Sequence, residues 1–188
     1  MTAISLVRIG ALAVGLTPAA LAAQEAPPHR HVAVATEAPR AADVATVDAM
    51  VQAYYAVITG PARQPRQWSR DRSLYIPELR FVATGVTQGR PYARVMRHQD
   101  FVASTDSMFV HDGFFEREIH RATRAYGNIV QVFSTYEERR TNDGPVTGRG
   151  INALQLFWDG ARWWIASAIW FSEDPAHPIP PEDLPEGR

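Results

Sequence analysis

The chain has 188 residues, which is room for one folded domain. All 19 of its basic residues are arginines and cysteine is absent, which excludes Schiff-base and pyridoxal-phosphate chemistry, thiol nucleophiles, disulfides and cysteine metal sites. The formal net charge of −1 gives no general attraction to nucleic acid. Any catalysis must therefore use His, Asp, Glu, Tyr, Arg or hydroxyl groups.

The first 22 residues have the pattern of a signal peptide. Arg8 precedes the apolar run 9–16, Pro18 breaks the helix, and Ala20-Leu21-Ala22 offers a small-x-small cleavage site. The alternative is an uncleaved membrane anchor, but a bilayer-spanning helix needs about 20 apolar residues. We expect cleavage near Ala22, export to a bacterial periplasm or beyond the cell, and no stable membrane insertion after cleavage.

Proline content divides the rest of the chain. Residues 23–42 have little periodicity and predict a disordered linker, and 43–174 predict the folded domain. Five prolines in 175–188 predict an extended tail, because proline continues neither a helix nor a sheet ladder.

The first half of the domain is predicted to be mainly helical. Thr46 is a candidate N-cap for a helix whose apolar residues follow at helical spacing until Gly60-Pro61. Short strands are predicted at Leu79–Thr84 and around Arg94–Met96, followed by a helix over His98–His111.

The second half is predicted to be a meander of four antiparallel strands joined by turns rich in Gly and Asn: Phe114–Thr123, Ile129–Arg139, Ile151–Trp158 and Trp163–Ser172. Helices followed by such a meander indicate an α+β fold with helices packed on one sheet face. Several strands are apolar on both faces, which predicts a homodimer through the outer sheet face; the alternative is that the tail folds across that face.

An arginine-rich stretch surrounds Trp68 between the first helix and the first strand: Arg63, Arg66, Arg70 and Arg72. It could be a nucleic-acid patch, but short arginine-rich helices are more often solvated. We expect a solvated face and no nucleic-acid partner.

Several motifs of the second half resemble the nuclear transport factor 2-like superfamily, in its SnoaL-like branch. They are Gly113-Phe114-Phe115-Glu116-Arg117-Glu118-Ile119, Phe133-Ser134-Thr135-Tyr136-Glu137, Gly150-Ile151-Asn152, Leu154-Gln155-Leu156, and Asp159-Gly160 before Trp163-Trp164-Ile165. The resemblance implies a cone-shaped α+β fold, in which N-terminal helices pack on a strongly bent antiparallel sheet of about five or six strands around an apolar pocket. Members include isomerases, cyclases, dehydratases, epoxide hydrolases and non-catalytic binding or assembly domains, so the fold alone does not choose a function.

Enzymes of this superfamily place acid–base pairs in an apolar cavity, where burial raises a carboxyl pKa toward neutrality. The best candidate pair here is His98 and Asp100, which share a side if the segment is extended and diverge if it is helical. The alternative role for Asp100 is stabilisation of a helix N-terminus.

Six residues are candidates for substrate contacts: Tyr54, Trp68, His120, Tyr136, Asn152 and Trp170. Tyr136, Asn152 and Trp170 bring polar groups to an apolar sheet, although each also suits a sheet core. His120 shares strand parity with Glu116 and Glu118, a row that could instead be a solvated edge. We expect neither a metal nor a cofactor.

These features favour an exported protein that binds a small hydrophobic molecule, with cofactor-independent acid–base catalysis of the isomerase or dehydratase type as the activity to test. The alternative is a non-catalytic binding or assembly module that uses its sheet face for dimerisation or for recruiting a partner.

Overall fold

The structure is a computed structural model that describes residues 36–186. The predicted signal peptide and the predicted linker as far as residue 35 lie outside the described residues, as do 187–188. The helices are α1 (Ala41–Val44), α2 (Val47–Ala56), α3 (Trp68–Arg72) and α4 (His98–Asp112). The strands are β1 (Tyr75–Thr87), β2 (Arg90–Met96), β3 (Phe115–Tyr126), β4 (Ile129–Arg139), β5 (Val146–Trp158) and β6 (Trp163–Ser172), and a 3₁₀ turn covers Pro181–Asp183.

Local sequence signals fix the ends of the two long helices. The Thr46 hydroxyl accepts a hydrogen bond of 3.1 Å from the Ala49 amide, so the predicted N-cap of α2 is confirmed. Helix α4 ends at Gly113, whose φ of 75° favours glycine. A Cβ at Gly113 would also lie 2.5 Å from the carbonyl oxygen of Arg140, so the β4 end can approach α4 only because this residue is glycine.

Six strands form one bent sheet in the order β2-β1-β6-β5-β4-β3. The predicted antiparallel meander from β3 to β6 is confirmed, with a tight turn at Gly127-Asn128 between β3 and β4. One pairing differs from the expectation of a purely antiparallel sheet, because β1 lies parallel to β6. These two strands are about 90 residues apart in the chain, so no local pattern indicates their relative direction.

The inner face of the sheet packs against the helices and forms the core. One row of register partners crosses five strands on this face and is buried throughout: Val132, Leu154, Ala168, Phe81 and Met96. Because side chains alternate along a strand, the neighbouring residues point to the outer face. This arrangement confirms the α+β class, with helices on one side of a bent sheet.

The outer face carries a second apolar row that crosses all six strands: Ala122, Phe133, Ala153, Ile169, Val82 and Val95. Phe133 and Ile169 are 42% and 40% exposed in the single chain, and Val95 is 62% exposed. The polar residues Arg124, Gln131, Gln155, Ser167 and Arg80 form the row beside it.

The C-terminal tail lies against the other side of this apolar row. Ile179 is buried, its amide donates to the Glu173 carboxylate over 3.1 Å, and the Thr135 hydroxyl donates to the Asp183 carbonyl over 2.6 Å. The predicted tail is thus largely extended but docked on the sheet. Among the described residues, the tail covers the outer-face row on that side and leaves Phe133 and Ile169 of the apolar row partly exposed.

Candidate functional site: a cavity between the helices and the sheet

A cavity of about 170 Å³ opens between helices α2 and α4 and the inner face of the sheet. Eight aromatic residues line it: Tyr54, Tyr75, Phe81, Phe101, Phe109, Phe114, Tyr136 and Trp170. Its polar groups come from Thr105, Glu116, Glu138, Asn152 and Ser172. An apolar cavity of about 150 Å³ holds a benzene molecule, so the space here suits a ligand built on one small ring.

Glu116, on β3, is the most unusual polar group of the cavity. One of its carboxyl oxygens accepts a hydrogen bond of 3.2 Å from the Asn152 side-chain amide. The Glu116 pKa is raised from 4.5 to about 8, mainly by burial and also by the nearby Glu138 carboxyl, while the Asn152 hydrogen bond acts in the opposite direction. Near pH 7 this carboxyl therefore exists in both protonation states, as proton transfer in either direction requires.

Glu138 lies beside Glu116 because the two residues are register partners on β4 and β3. Burial raises the Glu138 pKa, while Arg140 lowers it. The Glu138 side chain lies over Gly148 on β5, where a Cβ would come within 2.6 Å of its carboxyl oxygen. Glycine at 148 therefore makes the space that this carboxyl occupies.

Gly150 has the same effect for Tyr136. A Cβ at Gly150 would lie 2.5 Å from the Tyr136 hydroxyl and 2.5 Å from the Phe171 carbonyl oxygen. Tyr136 instead extends across β5 and reaches the Ser172 hydroxyl at 3.1 Å. Burial raises the pKa of Tyr136, so its phenol stays protonated at neutral pH and can donate a hydrogen bond.

A hydrogen-bond network from α2 holds Asn152 in place. The Tyr54 hydroxyl donates to the side-chain oxygen of Asn152 over 3.3 Å. The side-chain NH₂ group of Asn152 donates to the Tyr55 hydroxyl over 3.2 Å and also to the Glu116 carboxyl. Tyr55 in turn lies 2.6 Å from the Ser134 hydroxyl. With both ends of its amide engaged, Asn152 presents an N–H group to Glu116 in a fixed orientation.

Four of the six residues predicted to contact substrate line the cavity: Tyr54, Tyr136, Asn152 and Trp170. Trp68 lies behind the wall, where it packs on Phe101 and Phe109, and its indole N–H donates to Asp106 over 2.6 Å. For the four residues that line the cavity, contact with a substrate stays a prediction.

His120 lies outside the cavity lining. A register irregularity between Glu118 and His120 places His120 opposite Thr135, on the face that holds the tail. The shared parity expected for His120, Glu116 and Glu118 is therefore wrong, because a bulge shifts the alternation by one residue. Glu118 points inward but pairs with Arg121 at 2.6 Å.

The predicted pair of His98 and Asp100 is not formed. Both lie in the first turn of α4, and there the helical backbone separates their side chains. Asp100 closes a capping box with Arg97 at the surface, which is the alternative role considered for it. His98 is buried, with its Nε2 atom 2.7 Å from Asp71, behind the cavity wall.

Asp71 connects this buried pair to the cavity through Tyr75. The Tyr75 hydroxyl donates to Asp71 over 2.8 Å, while the Tyr75 ring lines the cavity and packs edge-on against Phe81 at 5.2 Å. Asp71 is fully buried with two partners, so the arrangement fixes α3, β1 and α4 relative to one another.

Most of the arginine-rich stretch supports the fold, and a solvated face is the wrong prediction for three of its four residues. Arg66 is buried and donates to backbone carbonyls, including that of Phe109. Arg70 makes a bidentate pair with Asp43 at 2.7 Å, and Arg72 donates to carbonyls at the start of β1.

The sequence analysis noted Glu116 only as a neighbour of His120 and gave Glu138 no role in the pocket. The adjacent Glu137 forms ion pairs with Arg117 at 2.5 Å and with Arg139 at 2.8 Å, while Glu138 points to the opposite face. The usable signal was strand parity. Glu138 lies two residues after Tyr136 on the same strand, so its side chain points to the same inner face. Within 36–186, no group of three or more His, Asp or Glu residues could hold a metal ion.

No helix within the described residues is long and apolar enough to cross a membrane. The bent six-stranded sheet, the helices on its inner face and the cavity between them define an α+β protein with the architecture that the resemblance to the nuclear transport factor 2-like superfamily implies. The SnoaL-like branch stays a prediction.

Two solved structures are similar to this chain. One is a nuclear transport factor 2-like protein of unknown function from Silicibacter pomeroyi, with 17% identity and a TM-score of 0.44, over 69% of this chain and 94% of that one. The other, from Novosphingobium aromaticivorans, is described as the beta subunit of an aromatic-ring-hydroxylating dioxygenase, with 15% identity and a TM-score of 0.42, over 57% and 77%. No family model and no curated protein matches the chain.

Proposed function

We propose that the protein binds a small, mainly apolar molecule in this cavity and that Glu116 exchanges a proton with it. The observation that carries the proposal is the position of the Glu116 carboxyl in an aromatic cavity, with one fixed amide donor and a second carboxyl beside it. This is the arrangement that general acid–base catalysis needs.

The chemistry requires no cofactor. An ionised Glu116 can take a proton from an acidic C–H group next to a carbonyl, and the protonated carboxyl can return it to the same carbon or to a neighbouring one. Return to a different carbon is isomerisation. Where the substrate carries a hydroxyl group on the carbon next to the one that lost its proton, Glu116 can pass that proton to the hydroxyl as its C–O bond breaks, so that water leaves and a double bond forms, which is dehydration. The protonated Tyr136, whose ring lines the cavity, can supply a hydrogen bond that orients such a substrate, while Asn152 holds Glu116 in place.

Solvent deuterium exchange tests this proposal without knowledge of the natural substrate. The full chain is incubated in D₂O with 2-cyclohexen-1-one, a ring small enough for the cavity, and loss of the α-proton signal is followed by NMR. We expect exchange faster than the buffer rate, with a rate that rises with pH and levels off above about pH 8, because the ionised base then saturates.

Glu116→Gln should abolish the excess exchange while preserving the fold, since the amide matches the carboxyl in size. Glu78→Gln changes an exposed carboxyl on β1 and should leave the rate unchanged. Equal exchange by the Glu116→Gln variant and the unmodified chain would exclude Glu116 as the base.

The outer sheet face supports a second function, self-association. We infer a homodimer through the apolar row described above, in which the exposed parts of Phe133 and Ile169 become buried against a second copy. Light scattering after size-exclusion chromatography should give twice the chain mass. Ile169→Glu should give a monomer, and Val146→Glu, at an equally exposed valine outside the row, should remain dimeric. A monomeric unmodified chain would exclude this interface.

Export remains part of the proposal and rests on the pattern of residues 1–22. Expression of the full gene in a Gram-negative host, followed by mass spectrometry of the periplasmic fraction, should find a mature chain that begins at Ala23. Recovery of only the uncleaved chain from the cytoplasm would refute it.

A further inference from the structure

Within the described part of the chain, the ionisable carboxyls that line the cavity have no basic side chain beside them in the lining. Glu116 and Glu138 both line the cavity, and no arginine or histidine does so among the residues that the structure describes. Glu116 has the neutral Asn152 as its hydrogen-bond donor, and the Glu138 side chain forms no ion pair within 36–186. This contrasts with Glu118 on the same strand, which has Arg121 as its partner.

The remaining wall is mostly aromatic. The rings come from four sides: Tyr54 from α2, Phe101 and Phe109 from α4, Tyr75 from β1 and Trp170 from β6. The face of an aromatic ring attracts a cation, and this attraction strengthens when the cation is removed from water. Aromatic rings together with two carboxyls that form no ion pair within 36–186 make a surface complementary to a positively charged organic group.

Resting on the proposed function, we propose that the ligand of this cavity is a small organic cation, namely an aromatic or alicyclic amine. Its ammonium group lies between Glu116 and Glu138, and its ring packs on the aromatic wall. A neutral ring of the same size leaves the two carboxyls without a counter-charge, and an anion of that size is repelled by them.

Proton release follows from this binding mode. At pH 7 Glu116 is mainly protonated, and a bound ammonium favours its ionised form, so the proton leaves to the buffer when the amine binds. The titratable groups that face Glu116 are Tyr54 and Tyr55 from α2, Tyr75 from β1, and Tyr136 and Glu138 from β4. Arg140, just past the end of β4, acts on Glu138. The four phenols stay protonated at this pH, so a released proton comes from the carboxyl pair.

The test compares three probes of nearly equal shape that differ in charge: benzylamine, benzyl alcohol and benzoate. Titration calorimetry with the full chain at pH 7, repeated in buffers of different ionisation enthalpy, measures both affinity and proton release. We expect benzylamine to bind at least tenfold more tightly than benzyl alcohol, with release of up to one proton, and benzoate not to bind.

Two variants separate charge recognition from occupancy. Glu138→Gln should weaken benzylamine at least tenfold and change benzyl alcohol less than twofold, and Glu78→Gln on the surface should change neither. Equal or tighter binding of benzyl alcohol by the unmodified chain overturns the cation proposal and leaves the proposed function in place. Failure of all three probes to bind overturns both.

Discussion

Replacement of Glu116 by Gln should stabilise the protein increasingly as pH rises. The Glu116 pKa is raised by burial from 4.5 to about 8 in the folded chain, so between these values the native state holds a proton that the unfolded state has lost. The free energy of unfolding therefore falls as pH rises through this window. Gln keeps the shape and the acceptor for Asn152, and it carries no charge that burial could penalise.

The size of the effect follows from the pKa difference. One pKa unit corresponds to about 1.4 kcal/mol, so the shift of Glu116 is equivalent to about 5 kcal/mol when fully developed above pH 8. The stability contribution of the protonated group is complete below pH 4.5. Between pH 5.5 and pH 7.5 the Glu116→Gln variant should gain about 2.5 kcal/mol relative to the unmodified chain.

Urea denaturation followed by tryptophan fluorescence at pH 5.5, 6.5, 7.5 and 8.5 measures this difference. Glu138 titrates in both proteins, so the difference between the two curves reports the titration of Glu116 together with its coupling to Glu138. Glu78→Gln serves as the control, and its difference from the unmodified chain should stay constant across the series. A Glu116→Gln curve parallel to that of the unmodified chain would show that Glu116 is not held in a desolvated site.

Three further predictions concern the structure around the cavity, and each is tested by urea denaturation at pH 7. Gly150→Ala should destabilise the chain by about 1–3 kcal/mol, because the new Cβ meets the rigid Phe171 carbonyl oxygen. Gly148→Ala should destabilise it less, because the new Cβ meets only the flexible Glu138 side chain. Equal losses of stability in the two variants would contradict these contacts. Asp71→Ala should cost about 3–5 kcal/mol, since it leaves a buried histidine and a buried tyrosine without their acceptor, and a loss below about 1 kcal/mol would refute that arrangement. Thr46→Ala should cost about 1 kcal/mol through loss of the α2 cap, and Thr46→Ser should restore stability.

Local patterns predicted the elements well because their causes are local. The Thr46 cap, the apolar spacing of α2 and the tight turn at Gly127-Asn128 all depend on residues within a few positions of one another. The same holds for α4, predicted over His98–His111 and observed over His98–Asp112. The resemblance of the strand motifs then implied that the helices pack on a strongly bent sheet.

The candidate site was predicted only in part, and the errors have a common cause. Tyr136 and Asn152 line the cavity, and each lies in a regular stretch of strand, where alternation gives the face. The bulge before His120 broke that alternation. The His98 and Asp100 side chains point in different directions because their segment is helical. The sequence left open whether this segment is helical or extended.

Residue patterns within short windows predicted the two long helices and the antiparallel meander, and the residue content excludes lysine and cysteine chemistry. Strand pairing and sheet bending bring Glu116 and Glu138 into one aromatic cavity, while the neighbouring Glu137 pairs with arginines on the opposite face. Two adjacent glutamates in a strand look alike in the sequence. Their protonation depends on water access and on charges contributed by other strands, and those are set when the sheet pairs and bends around its helices.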